Sequence, residues 1–328
     1  MTSTEPRAGT PIVVSPVGFG SWAAGGGRTW GPNRSDAEVV RAMHAAFDAG
    51  ANWVDTAEVY GGGGGSERIV GRALSGRPEV LACTKVAPRP DGSGLRRSDI
   101  RRALDGSRRR LGRDTIDLYQ VHWVDPDVRL EETWTALAEI AEKGAVRWLG
   151  LSNVTPEEVA RCRRIRPVDT VQLQGSLLHD AEVRAHLDAA RRYGSAIICY
   201  GVLGFGILAG EPSGDFADWR GGRYGREDFF VNDNYVRHFS PRAYRRRCQF
   251  ARALAEVAMS FDVTPAQLAL RWMLDRGATA VLAGTRSPLH AVENVRAGAI
   301  DLTRDLREGI EALRADFLEN ERQEEPNG

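Results

Sequence analysis

The 328-residue chain has few cysteines, no excess of charge of either sign and no long apolar run. Cys83, Cys162, Cys199 and Cys248 are its cysteines, and none lies in a CxxC or Cys/His spacing suited to zinc. Lysine plus arginine number 44 and aspartate plus glutamate 44, so the formal net charge is +0. No global field draws the chain to nucleic acid or to an anionic membrane. The runs "RRSDIRRALDGSRRR" and "YRRRC" place their arginines mostly on the polar faces of predicted helices, as solvated surface. No stretch approaches the roughly 20 apolar residues of a membrane-spanning helix. The start, "MTSTEPRAGTPIVV", has neither the basic opening nor the apolar run of a secretion signal. These absences lead us to expect a reducing, cytoplasmic setting with no nucleic-acid or membrane partner. Residues 1–10 and 321–328 are polar and read as flexible ends.

What the chain does have is a cadence. "SDAEVVRAMHAAFDAG" offers Ser35 as helix cap with Glu38 three residues on, then an apolar face of Val39, Met43, Ala46 and Phe47, then Gly50. "ANWVDT" follows as a short buried strand. The sequence repeats this grammar: "SDIRRALDGSRRRLG" leads to "TIDLYQVH", "LEETWTALAEIAEKG" to "VRWLGLSN", and "TPEEVARCRRI" to "TVQLQ". "AEVRAHLDAARRYG" leads to "AIICY" and "TPAQLALRWMLDRG" to "ATAVLAG". Alternating short strands and amphipathic helices make parallel βαβ units. With "VGFGS" and "VLACTK" the strands number eight, which predicts a single (β/α)₈ TIM barrel over residues 11–320. An open doubly wound sheet would carry a glycine-rich dinucleotide turn after an early strand. "GFGSWAAGGG" lacks that spacing.

In such a barrel the chemistry sits where the strands end. The strand-closing residues are Asp55, Lys85, His122, Ser152, Asn153, Gln174 and Tyr200. Singly, each has an ordinary explanation as a cap, a core histidine or a snorkelling lysine. Together, Asp55, Lys85, His122 and the nearby Tyr60 make an acid–base centre. A tyrosine's usual pKa is near ~10, too high for ready proton donation at neutral pH. A neighbouring ammonium favours the phenolate. Lys85 supplies that charge, Asp55 holds Lys85, and His122 places a carbonyl oxygen or tunes the donor. Beside them "DTAEVYGGGGGSE" runs five glycines after Tyr60, more than one sharp turn needs.

At these residues the sequence resembles the aldo-keto reductase superfamily. The strongest motifs are "DTAEVYGGGGGSE", "LACTKV", "DLYQVHWVD", "GLSN" and "GTRSP...EN", in order along nearly the whole chain. The resemblance implies a nicotinamide cofactor bound without a Rossmann domain, and a tetrad of Asp55, Tyr60, Lys85 and His122 with Tyr60 as general acid. It implies that Ser152, Asn153 and Gln172 (in preference to Gln174) hold the carboxamide, and that Tyr200 stacks on the ring. Gly201, Leu203 and Gly206 line the pyrophosphate in this reading. Gly284, Thr285 and Arg286 open a helix whose dipole favours phosphate. Arg286 is the candidate for a 2′-phosphate, hence NADPH. His290 stands where glutamine is frequent near the adenine ribose, and Glu293 and Asn294 are placed at the adenine. Gly201, Val202 and Gly175 also depart from the family's usual residues.

Trp22, Trp30 and Trp123 are the expected substrate walls, and residues 211–247 an expected cover over the pocket, with Phe229, Phe230, Tyr235 and Phe239 within it. The function implied is NADPH-dependent reduction of a small-molecule carbonyl (an aldehyde, ketone or keto-sugar) to an alcohol, with a biosynthetic tailoring ketoreductase as one form of it. The alternative is a cofactor-sensing regulatory subunit like the β-subunits of potassium channels. A monomer or weak homo-oligomer is expected.

Overall fold

The computed structural model describes residues 11–31, 35–89, 93–210, 216, 218–221 and 237–324. Eight parallel strands close into a barrel in sequence order: β1 (Val17–Gly20), β2 (Trp53–Asp55), β3 (Leu81–Val86), β4 (Ile116–Val121), β5 (Val146–Ser152), β6 (Thr170–Gln174), β7 (Ala196–Tyr200) and β8 (Ala280–Ala283). β8 pairs with β1 through Val17–Val281 and Phe19–Ala283, which completes the (β/α)₈ barrel. Each strand that the sequence predicted is present.

The helices of eight or more residues are α1 (Asp36–Asp48), α2 (Gly65–Leu74), α3 (Arg97–Leu111), α4 (Leu130–Glu142), α5 (Pro156–Arg163), α6 (Ala181–Tyr193), α7 (Pro241–Met259), α8 (Pro265–Asp275), α9 (Pro288–Arg296) and α10 (Arg304–Glu324). Their ends follow local chemistry. Thr155 and Glu158 form the reciprocal capping box expected of α5, and Thr264 with Gln267 does the same for α8. Ser35 caps α1 by accepting from the Ala37 amide. Glu38, expected to complete that box, turns instead toward Arg41 at 3.9 Å. Gly112 and Gly194 end α3 and α6 in the left-handed conformation.

The alternation of strand side chains sorts the core into two sets. Outward residues such as Val54, Ala82, Tyr119, Leu149 and Ile197 pack under the helices in one large apolar cluster. Inward residues lower in the barrel, Trp53, Cys83, Leu118, Ile198, Ala280 and Leu282, form a separate cluster closed below by Ile12. Trp53 fills this floor, and its indole N–H donates to the Ser15 carbonyl at 3.0 Å. Gly18 must be glycine for that reason: a Cβ there would lie 2.2 Å from the Trp53 ring. Two residues further along the same strands, Asp55, Lys85 and Gln120 also point inward, and polar chemistry begins.

Of the expected cover, Phe216, Asp218–Gly221 and residues 237–247 are described. Phe229, Phe230 and Tyr235 lie outside the described residues.

Candidate active site

Strand register brings the first three polar side chains together. Asp55 lies opposite Cys83, and Lys85 and Gln120, opposite each other, stand two residues further along β3 and β4, from where their ammonium and amide reach the carboxylate. Lys85 is 0% and Asp55 2% exposed. The Lys85 ammonium donates to Asp55 Oδ1 and, at 2.9 Å, to the Thr56 carbonyl. The other carboxylate oxygen accepts from Gln172 at 3.0 Å and from Gln120 at 3.3 Å. A buried ion pair holds only when its remaining acceptors are satisfied, and here they are.

Tyr60 reaches the centre by a different route. After β2 the chain turns, and Gly61, Gly62, Gly63 and Gly64 take φ of 71°, 72°, 82° and 83° in succession. A run of four left-handed residues is closed to side chains bearing a Cβ. Its outcome is a turn in which the Ser66 amide donates back to the Tyr60 carbonyl at 3.2 Å. Contact adds to the demand. A Cβ on Gly61 would lie 2.5 Å from the Gly25 carbonyl oxygen, and one on Gly64 2.3 Å from Arg110 Nε. Arg110 is held there by Glu67, buried at the start of α2, at 2.6 Å, and Thr84 donates to the same carboxylate at 2.7 Å. The glycine surplus noted in the sequence is thus largely accounted for: Gly61 to Gly64 sit at positive φ, and Gly65, which does not, opens α2.

This turn sets Tyr60 Oη 3.2 Å from His122 Nε2, with the Lys85 ammonium 5.4 Å from the Tyr60 ring centre. His122 follows β4 and its ring stacks on Trp123 at 3.7 Å. Burial, reinforced by the Lys85 charge, pushes its pKa well below the usual 6.5 and keeps the imidazole neutral. Asn153 sits behind β5 at a φ of 56°. Its amide donates to the His122 carbonyl at 2.9 Å and to Ser152 Oγ at 3.1 Å, while its oxygen accepts from the Tyr200 hydroxyl at 2.7 Å. A continuous set of bonds therefore links β4, β5 and β7 around the mouth.

A cavity of about 250 Å³ opens over these groups. Of the sequence-predicted site residues, Asp55, Tyr60, His122, Ser152, Asn153, Gln172, Tyr200, Gly201, Leu203, Gly206 and Gly284 line it, as do Trp22, Trp30 and Trp123. Lys85 lies behind the wall rather than in it. Thr285, Arg286, His290, Glu293 and Asn294 belong to the loop after β8 and to α9, away from the cavity lining. Arg286 Nη2 donates to the carbonyls of Ala23 (3.3 Å) and Trp30 (3.2 Å), bracing the loop that carries Trp22 and Trp30.

The sequence reading missed three participants. Gln120 was hidden inside "DLYQVH", where nothing local distinguishes it from a solvent-facing polar residue. Phe205, at a φ of 57°, packs on Trp219 and Trp22 above the cavity. Arg220 lines the cavity, grips Asp218 at 2.6 Å and lies over the Trp30 ring at 5.0 Å.

The residues present fit a nicotinamide dinucleotide. Ser152, Asn153 and Gln172 offer hydroxyl and amide groups matched to a carboxamide. Gly201 holds a φ of 67° in the loop after β7. Gly20 and Gly284 approach so closely that a Cβ on Gly284 would lie 2.3 Å from the Gly20 carbonyl oxygen. Gly20, Gly201 and Gly284 all line the cavity, so at these positions the ends of β1, β7 and β8 present it with backbone rather than side chains.

Comparison with known proteins agrees with this fold. The profile of the aldo/keto reductase family matches residues 16–315. The aldo-keto reductase YhdN of Bacillus subtilis is 31% identical over 293 residues, spanning 86% of this chain and 84% of its own. Among solved structures, the glycerol dehydrogenase AKR11B4 from Gluconobacter oxydans superposes with a TM-score of 0.78 at 29% identity, covering 97% of each chain. An aldo/keto reductase from Klebsiella pneumoniae, in complex with NADP and acetate, gives a TM-score of 0.70 at 25% identity, over 95% of this chain and 96% of that one. With barrel, cavity and matches in agreement, the chain belongs to the aldo/keto reductase family, oxidoreductases that use a nicotinamide cofactor on small carbonyl substrates.

Proposed function

We propose that this enzyme reduces a carbonyl compound to an alcohol with NADPH, and that Tyr60 is the general acid. One observation carries the reading: Tyr60 Oη and His122 Nε2 face the same cavity 3.2 Å apart, with the Lys85–Asp55 pair directly behind. A carbonyl oxygen placed between them receives the Tyr60 proton. The nearby ammonium stabilises the phenolate left behind. His122 is neutral and so orients that oxygen through a hydrogen bond. Asp55 keeps Lys85 in place. The nicotinamide, when bound, supplies the hydride to the carbonyl carbon. Ser152, Asn153 and Gln172 would hold its carboxamide, Tyr200 its ring face, and Gly201, Leu203 and Gly206 its pyrophosphate.

The preference for NADPH rests on Arg286 at the start of α9, where the helix dipole also favours an anion. The Klebsiella relative, solved with NADP, supports it. Thr285, His290, Glu293 and Asn294 would complete the adenosine side. Trp22, Trp30 and Trp123 are the proposed substrate walls, and a role in biosynthetic tailoring is compatible with them.

Purified enzyme is offered NADPH or NADH with a panel of aldehydes, ketones and keto-sugars, and cofactor oxidation is followed. NADPH is expected to be consumed, and Tyr60→Phe to lower kcat by about 10²- to 10⁴-fold without loss of cofactor binding. A Tyr60→Phe enzyme as fast as wild type would remove the assignment.

A further inference from the structure

The Asp55 carboxylate is held by three donors, and one of them has no task in the scheme above. Gln120 in β4 is 0% exposed and does not line the cavity. Its Nε2 donates to Asp55 Oδ2 at 3.3 Å, and its Oε1 accepts from the Thr170 hydroxyl of β6 at 3.3 Å. The threonine fixes which way the amide faces: oxygen toward β6, NH₂ toward the carboxylate. The space for this arrangement is made by Gly150 of β5. A Cβ there would lie 2.1 Å from Thr170 Oγ1 and 2.9 Å from Gln120 Cγ. Three strands thus contribute to one directed donor.

The companion donor, Gln172, lines the cavity and is the residue we assign to the cofactor carboxamide. When its amide is drawn to that ligand, Asp55 Oδ2 depends on Gln120. Asp55 is only 2% exposed, and an ion pair in this setting needs its acceptors filled. We propose that Gln120, oriented by Thr170, is a positioning residue. It pins Asp55, and through Asp55 it keeps the Lys85 ammonium against Tyr60. The inference rests on the reading of Tyr60 as proton donor.

The test uses the full-length chain with NADPH and the best carbonyl from the panel. Gln120→Met keeps length and removes the donor. A hydrogen bond to a charged group is at stake, so kcat is expected to fall about tenfold to a hundredfold. KM for the carbonyl and Kd for NADPH, read by fluorescence quenching, are expected to stay unchanged. Thr170→Val should lower kcat in the same direction by less, and Thr170→Ser should restore it. In an Asp55→Asn background, Gln120→Met should change kcat by less than about twofold, because its route of action is gone. A folded Gln120→Met enzyme with wild-type kcat overturns the proposal, and so does an undiminished loss in the Asp55→Asn background. Should Gln120→Met not fold, the Thr170→Val and Thr170→Ser pair decides: equal kcat in both overturns the proposal. An active Tyr60→Phe enzyme overturns the underlying reading instead, so the two failures are distinguishable.

Discussion

The floor and the mouth of the barrel are built by the same strands, two residues apart, and differ in almost every physical respect. At the floor, Trp53, Cys83 and Leu118 meet in a close-packed apolar layer. At the mouth, Asp55, Lys85 and Gln120 occupy the next inward positions of those strands and bury a charge pair. The floor gains free energy by removing apolar surface from water. The mouth gives some of it back in desolvation, and what it obtains is a charge held beside Tyr60, where the proposed chemistry needs one. The comparison also bears on why position 85 is a lysine. The chain's lysines are Lys85 and Lys143, and arginine fills nearly every other cationic position. A compact point charge in a closed space is a task a forked guanidinium does not suit.

Three experiments would break or sharpen this contrast. The largest effect is expected at the mouth. Lys85→Met should cost about 10²- to 10⁴-fold in kcat and also about 3–5 kcal/mol of stability, since it leaves Asp55 buried without its cation. Combining it with Asp55→Asn should restore stability to the wild-type level or above while activity stays lost. Denaturant melts with paired kinetics would show this; a double variant as unstable as Lys85→Met alone would mean that the pair is not a stability cost. Next, at the floor, Trp53→Ala should lower stability by about 3–5 kcal/mol with kcat per folded molecule near wild type. A large fall in kcat with intact folding would show that floor and mouth are mechanically coupled.

The smallest effect is one of pH. Burial and the Lys85 charge hold His122 well below its ordinary 6.5. Between 6.5 and the depressed value, the unfolded chain therefore binds more protons than the folded one. The contribution to stability is complete above about pH 6.5 and is lost as pH falls below it, by at most about 1.4 kcal/mol per pH unit. His122→Asn should flatten that part of the stability profile. An unchanged slope would show that other groups set it.

Several of these features were legible before any coordinates. Helix caps at Thr155 and Gly112 and the strand count follow from spacing and residue type. The reason is that capping, period-two burial and the left-handed glycine stop are local properties of the chain. The glycine run after Tyr60 was visible but not interpretable. Its length makes sense only once Gly61 to Gly64 are seen in succession at positive φ, with Gly61 against Gly25 and Gly64 against Arg110. Gln120 was illegible because an inward amide and an outward one look the same in sequence. Arg286 was correctly seen beside a helix start, yet its bonds to Ala23 and Trp30, far away in the chain, were not foreseeable.

The sequence by itself determined the barrel, the family, and which residues close its strands, because these depend on periodicity and on short motifs. Only the tertiary structure decided which side chains share a hydrogen bond. Asp55, Gln120, Thr170 and Gln172 come from three strands, and the register of a closed barrel, set by all eight at once, puts both glutamines within reach of the Asp55 carboxylate and Thr170 within reach of Gln120.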